Sequence, residues 1–160
     1  MKSLYLIILS ALFTLHSYSQ SIYDFELENT DGELVSYEEL KGSKLTVIDF
    51  WATWCKPCVN SIPKLVELYD SYDKEEVAFI GISIDSPRNL AKVKPFMQSM
   101  GVNYPVLLDM NQEVMRDMNL TSVPALLIVN ADDEIVSFHE GFAPGDEDKI
   151  KKEIDAFVYE

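Results

Sequence analysis

Two near-continuous apolar runs, at residues 45–52 and 77–84, constrain the fold more than any other feature of the chain. A run of this kind is typical of a strand that is buried on both faces of a sheet. Such a sheet needs helices packed against both of its faces. The chain is therefore expected to be an α/β domain.

Helical and extended patterns alternate along the rest of the chain. From Leu45 onward the predicted order is βαβαβαββα, and one further strand is expected at residues 22–27. The polar stretch after the Asp31-Gly32 turn is assigned no helix or strand. Helices are predicted after Cys58, at 89–100, at 112–118 and from Gly145, and shorter strands at 106–108, 125–129 and 134–138. These elements predict a mixed central sheet with helices on both faces, in one domain at residues 20–160.

The N-terminus has the features of an export signal. A 12-residue apolar run at residues 4–15 follows Lys2, and Ser17 and Ser19 supply small residues for cleavage after Ser19. The run is shorter than the ~20 residues that a membrane-spanning helix needs, and an uncleaved N-terminal anchor is the alternative. We expect residues 1–19 to be a signal peptide and the mature protein to be exported, to the periplasm.

The net charge excludes several classes of partner. The chain carries a formal charge of −14, which becomes −15 after cleavage because Lys2 is the only charged residue removed. Such an acidic domain is not expected to bind nucleic acid or anionic lipid by electrostatics. A self-repelling monomer is expected.

The two cysteines of the chain, Cys55 and Cys58, are separated by two residues and lie where the first apolar run gives way to a helix. A structural disulfide here would close so short a loop that it would remove little entropy from the unfolded chain. The pair is therefore interpreted as a reversible dithiol/disulfide couple. At a helix N-terminus, unpaired N–H groups and the helix dipole favour a thiolate at Cys55, and Lys56 adds a positive charge. Pro57 suits the first helical turn, and Cys58, one turn further in, is expected to be less exposed and to resolve a mixed disulfide.

Asp49 is the only charged residue of the first apolar run. Burial of a carboxylate is costly unless a cation pairs with it, and no such cation can be identified from the sequence. A raised pKa would allow Asp49 to exchange a proton with the Cys58 thiol through a water. The alternative is a tolerated structural aspartate. Elsewhere, Val123-Pro124 precedes a strand, and from its spacing alone a trans bond is expected, since only ~5–6% of such bonds are cis.

The segment Asp-Phe-Trp-Ala-Thr-Trp-Cys-Lys-Pro-Cys at 49–58, Pro63 and the segment 123–125 together resemble the thioredoxin superfamily. Within it, the chain is similar to exported TlpA/ResA-like thiol–disulfide oxidoreductases over residues 22–158. Residues 101–109 resemble the segment that leaves an extra helix, inserted in this branch after the second buried strand. The resemblance implies a thioredoxin-like fold.

The same resemblance implies roles for individual residues. Cys55, Cys58, Asp49 and Pro124 would be catalytic, with Pro124 in a cis peptide bond. The partner-binding residues would be Trp54, Lys56, Pro57 and Val123, the last pairing through its backbone with a bound partner segment. Some members carry a glutamate three residues after the second cysteine, and Ser61 stands there in this chain.

Pro57 is similar to the residue found in reducing members, which implies a reductase of protein disulfides, for example in cytochrome c maturation. Its partners would be disulfide-bearing exported proteins and a membrane thiol–disulfide electron donor, and no cofactor or metal is expected. Two alternatives use the same fold. A thiol peroxidase normally has a threonine three residues before its reactive cysteine, where this chain has Ala52. A copper chaperone needs a wider cysteine spacing and a histidine, but the mature chain contains only His139.

Overall fold

The structure, a computed structural model, describes residues 20–159. The predicted signal peptide at 1–19 lies outside the described residues. Between residues 20 and 159, no helix combines the length and the apolar character needed to cross a membrane.

Within the described residues, seven strands form one mixed sheet. In chain order the strands are β1 (Glu26–Asn29), β2 (Leu34–Ser36), β3 (Leu45–Trp51), β4 (Val77–Ser83), β5 (Val106–Leu108), β6 (Ala125–Asn130) and β7 (Ile135–Glu140). Their spatial order is β2-β1-β5-β4-β3-β6-β7. β3 is parallel to β4 on one side and antiparallel to β6 on the other. Every residue of β3 and β4 is buried, which confirms that the two apolar runs are strands covered on both faces.

Among residues 20–159, five helices flank the sheet, and four of them were predicted. They are α1 (Tyr37–Leu40), α2 (Cys58–Asp70), α3 (Leu90–Met100), α4 (Glu113–Asp117) and α5 (Asp146–Val158). From β3 onward the observed order is the predicted βαβαβαββα. α3 follows β4, where the resemblance places the extra helix, and α2 contains Pro63.

The prediction was wrong at the N-terminal end of the domain. The strand expected at 22–27 is displaced, since β1 begins at Glu26, and Ile22 and Phe25 bond instead to the turn between β6 and β7 and to the first residue of α1. Ile22 N–H donates to the carbonyl of Asp133 at 2.8 Å, and the Phe25 carbonyl accepts from Tyr37 N–H at 2.9 Å. β2 and α1 were not predicted.

α2 begins at Cys58, so Pro57 is the residue before the helix and not part of its first turn. Pro57 already has helical backbone angles, with φ −63° and ψ −28°, and its carbonyl accepts from Ser61 N–H at 3.1 Å. The turn before α2 therefore continues into the helix without a break in direction.

The topology brings two separate segments to the same end of the central strands. In the antiparallel pairing of β3 with β6, Phe50 lies opposite Ala125. The residues that follow β3 and those that precede β6 therefore leave the sheet at the same end. Gly141, directly after β7, joins them there, because its N–H donates to the Pro124 carbonyl at 2.8 Å.

Candidate functional site

The two cysteines form a disulfide at this end of the central strands. Cys55 and Cys58 have their Cα atoms 5.3 Å apart, and the Cys58 backbone N–H donates a hydrogen bond to the Cys55 sulfur at 3.3 Å. Cys58 is fully buried and Cys55 is 4% exposed. The free N–H at the start of α2 is thus directed at Cys55, where it would stabilise a thiolate in the reduced protein.

An exposed surface surrounds this pair. Trp54 is 59% exposed, and Lys56 and Pro57 are also exposed. Lys56 and Pro57 line one groove together with Val59, Asn60 and Phe142. Phe142 was not predicted from the sequence, because it reaches the groove from the loop after β7, nearly ninety positions away along the chain.

Val123 and Pro124 are joined by a cis peptide bond. The resemblance implied this bond, whereas the expectation from spacing alone was wrong. The segment before the bond is tethered to β7, because the Glu140 carboxylate accepts from the Ser122 hydroxyl at 2.5 Å and from the Thr121 hydroxyl at 3.3 Å. Val123, Pro124 and the cysteine pair therefore share one end of the sheet.

Asp85 supports the turn that leads to the cysteines, and it was missed in the sequence. Its carboxylate is 1% exposed and accepts from the Thr53 N–H at 2.8 Å, the Thr53 hydroxyl at 2.7 Å and the Ser83 hydroxyl at 3.0 Å. A usable signal was present: an acid two residues after a buried strand that runs parallel to the cysteine-bearing strand. Carboxyl ends of parallel strands meet at one edge of a sheet, where sites are common.

Asp49 is buried in the middle of the sheet. It is 2% exposed, and neither of its carboxylate oxygens has a hydrogen-bond partner among residues 20–159. Burial raises the pKa of Asp49 from its usual 3.8 to about 7. The cation that a structural aspartate would need is not found in the described part of the chain. With a pKa of about 7, the Asp49 carboxyl is partly protonated at neutral pH.

His139 is engaged in the structure. Its Nε2 lies 2.7 Å from the Glu153 carboxylate and 3.2 Å from the Ser137 hydroxyl. Across residues 20–159, no three His, Cys, Asp or Glu side chains form a group suited to a metal ion.

The chain is similar to known proteins over most of its length. A model of the AhpC/TSA family matches residues 19–138. This chain belongs to the AhpC/TSA family. The thiol-disulfide oxidoreductase ResA of Bacillus subtilis strain 168 is 30% identical over 118 residues, which are 74% of this chain and 64% of ResA. The chain thus spans less than two thirds of that relative.

One further relative and one solved structure are also similar to this chain, the latter in its fold. The thioredoxin-like protein YneN of the same organism is 30% identical over 137 residues, 85% of this chain and 79% of YneN. A thiol:disulfide interchange protein of the thioredoxin family from Chlorobium tepidum superposes with a TM-score of 0.72 at 24% identity, over 87% of this chain and 96% of that one. The thioredoxin-like fold and the similarity to ResA-like proteins are confirmed.

Proposed function

We propose that this protein is an exported thiol–disulfide oxidoreductase that reduces disulfides of other proteins through the Cys55/Cys58 couple. The observation that carries the proposal is the disulfide itself, with the Cys58 N–H directed at the Cys55 sulfur beside an exposed surface. ResA, a relative of this chain, is named for the same chemistry.

The first step joins the protein to its partner. In the reduced protein, the Cys55 thiolate attacks one sulfur of the partner's disulfide. The bond between Cys55 and that sulfur forms as the partner's own S–S bond breaks, and the released partner thiolate takes up a proton. Trp54, Lys56, Pro57 and the Val123 backbone are proposed to contact the partner during this step.

The second step releases the partner. Cys58 loses its proton, and its thiolate attacks the Cys55 sulfur of the mixed disulfide. The Cys55–Cys58 bond forms as the bond between Cys55 and the partner breaks, and the released partner thiolate takes up a proton from solvent. The partner leaves as a dithiol, and two electrons have passed from this protein to the partner. Asp49 is proposed to take the Cys58 proton through a water, since its pKa of about 7 allows it to hold and release a proton near neutral pH.

The direction of electron transfer and the cellular compartment belong to the same proposal. Residues 1–19 would be removed as a signal peptide and residues 20–160 would act as a monomer in the periplasm. A reductant there needs electrons from a membrane thiol–disulfide transporter, because the compartment itself is oxidising. Disulfide-bearing exported proteins, with oxidised apocytochrome c as one example, are the proposed substrates.

Trapping of the mixed disulfide tests the proposal. In the Cys58→Ser variant the second step cannot occur, so partners remain attached to Cys55. The variant is produced in the native exported compartment, free thiols are alkylated, and attached proteins are identified by mass spectrometry after release with a reductant. We expect several partners with Cys58→Ser and none with the Cys55→Ser control, and equal recovery from the two variants would overturn the proposal.

The two alternatives give different results with the same protein. A thiol peroxidase would consume hydroperoxide in proportion to enzyme, and Cys58→Ser would retain its peroxide-reactive thiol. A copper chaperone would bind one Cu(I) tightly when reduced and would exchange no disulfide. Reduction of a protein disulfide by the wild type, without either behaviour, supports the oxidoreductase.

A further inference from the structure

Within residues 20–159, the buried side-chain nitrogen and oxygen atoms that lack a hydrogen-bond partner belong to three residues: Asp49, Trp51 and Tyr104. The unpaired atoms are the two carboxylate oxygens of Asp49, Nε1 of Trp51 and the hydroxyl oxygen of Tyr104. Buried polar groups in folded proteins are almost always paired, either with protein atoms or with internal water. Three such residues in one domain therefore need a common explanation if they lie together.

They do lie together, around Gly81. Asp49 and Trp51 are two positions apart on β3, so their side chains project from the same face of the sheet. Gly81 pairs with Asp49 on β4, and a Cβ atom placed on Gly81 would lie 3.0 Å from Trp51 Nε1 and 3.2 Å from Tyr104 Cε2. Because Gly81 has no side chain, both aromatic groups approach the backbone beside Asp49.

An electrostatic effect supports this placement. Burial and the nearby Asp49 carboxylate together raise the pKa of Tyr104 well above its usual value. Tyr104 therefore keeps its hydroxyl proton at neutral pH and can donate it in a hydrogen bond.

The three groups are chemically complementary. An ionised carboxylate only accepts hydrogen bonds, an indole N–H only donates, and a phenol hydroxyl does both. No hydrogen bond joins any two of them directly. A water molecule with two to four polar partners is the usual way in which such unpaired buried groups are satisfied.

The rest of the surroundings is apolar or aromatic, and a Cβ atom on Gly81 would also lie 3.1 Å from the Val106 side chain. Phe96 on α3 stacks on Trp51 with ring centroids 5.3 Å apart, and Phe79 and Tyr69 pack on Tyr104 at 5.9 and 5.6 Å. Of these neighbours only Tyr69 can titrate. A cation that could hold the Asp49 charge is lacking in this part of the structure.

We propose that Asp49, Trp51 and Tyr104 form one buried water-binding site, in which Trp51 and Tyr104 are positioning residues that determine when Asp49 is ionised. The site rests on the proposed function, because it would decide at which pH Asp49 can accept the Cys58 proton. Donors that reach the carboxylate through water stabilise its charged form, so removal of one donor must make Asp49 harder to ionise.

The Tyr104→Phe variant removes one donor and keeps the ring. The matched control is Tyr69→Phe, the same change in the same aromatic group at a residue whose hydroxyl is not one of the unpaired buried atoms. The carboxyl ¹³C signal of Asp49 is titrated by NMR in the oxidised protein, where the cysteines do not titrate, and is assigned by its absence in Asp49→Asn. We expect Tyr104→Phe to raise the midpoint by about one pH unit and Tyr69→Phe to leave it unchanged.

A second variant and a second NMR signal keep the proposal testable if Tyr104→Phe fails to fold. Trp51→Phe removes the other donor and should move the midpoint in the same direction. The Trp51 indole N–H should show magnetisation transfer from a long-lived water in the wild type, and this transfer should weaken in Tyr104→Phe. Unchanged midpoints in both donor variants, or no bound-water signal, would overturn the site.

The outcome is separable from that of the proposed function. If the midpoints shift but the wild type reduces no protein disulfide, the site stands and the oxidoreductase proposal fails. If disulfides are reduced and the midpoints do not move, the oxidoreductase stands and the site fails.

Discussion

The buried carboxylate of Asp85 holds Thr53 by two hydrogen bonds, one from the backbone N–H at 2.8 Å and one from the hydroxyl at 2.7 Å. The end of β4 is thereby fixed to the turn that begins two residues before Cys55. Hydrogen bonds to an ionised acceptor are about twice as strong as neutral ones, and this acceptor is only 1% exposed. The position of the cysteine pair therefore depends on an acid in a different strand–helix connection.

Replacement of Thr53 by valine keeps the shape of the side chain and removes its hydroxyl. We expect the free energy of unfolding of the oxidised protein to fall by about 1.5–3 kcal/mol, the range for hydrogen bonds to charged groups. The matched control is Thr121→Val. The Thr121 hydroxyl contacts the exposed Glu140 at 3.3 Å, so its removal should change the free energy of unfolding by less than about 0.5 kcal/mol. Urea unfolding measures both, and equal losses would contradict the role of the Asp85 contact.

The free energy of unfolding should depend less on pH in the Asp49→Asn variant than in the wild type. The pKa of Asp49 is about 7 in the folded protein and 3.8 as its usual value, so the folded state binds more protons between these pH values. The folded state is therefore most stable, as far as Asp49 is concerned, below about pH 4, where this carboxyl is protonated in both states. This contribution is lost as the pH rises through about 7. The difference between the pKa of 3.8 and the pKa of about 7 corresponds to about 4 kcal/mol in the free energy of unfolding.

Unfolding of the oxidised wild type and of Asp49→Asn is compared from pH 4 to pH 8. The wild type should lose stability relative to the variant across this range, while other acids titrate in both proteins and cancel. Parallel curves would show that Asp49 ionises in the folded protein as easily as in the unfolded chain.

The parts of the fold that could be predicted from sequence are those with local signals. The apolar runs define β3 and β4, and the spacing of Cys55 and Cys58 defines the redox pair. α1 also had a local signal, because Ser36 and Glu39 form a capping box, but its four residues were too short for a periodic pattern. A helix of a single turn can therefore be missed even when its start is marked.

The supporting contacts of the site could not be predicted, since they depend on strand register. Asp85 meets Thr53 because β3 and β4 are parallel, with Trp51 opposite Ser83. Tyr104 approaches Gly81 because β5 follows β4 in the sheet after a helical crossover. Neither relationship has a signature within a short window of sequence.

Two glycines should differ in their tolerance of alanine. A Cβ on Gly42 would lie 2.2 Å from the Leu45 carbonyl oxygen and 2.7 Å from the Ala78 nitrogen, both backbone atoms that cannot move alone. At Gly81 the contacts would be side-chain atoms of Trp51, Val106 and Tyr104 at 3.0–3.2 Å. We expect Gly81→Ala to cost about 1–3 kcal/mol and Gly42→Ala more than about 4 kcal/mol, measured by urea unfolding. A smaller loss at Gly42 would contradict the close backbone packing there.

The groove beside the cysteines should affect protein substrates more than small ones. Phe142 lines it together with Lys56, Pro57 and Val59, so a partner segment attached to Cys55 would pass over this ring. We expect Phe142→Ser to slow reduction of a protein disulfide by about tenfold, equivalent to about 1.4 kcal/mol of lost contact, and to leave reduction of a small aromatic disulfide within about twofold. The control Phe157→Ser changes a ring on α5 that is 48% exposed and should alter neither rate. If Phe142→Ser slowed both reactions equally, the ring would support the cysteine pair itself, because only a contact with the partner's chain discriminates between the two substrates.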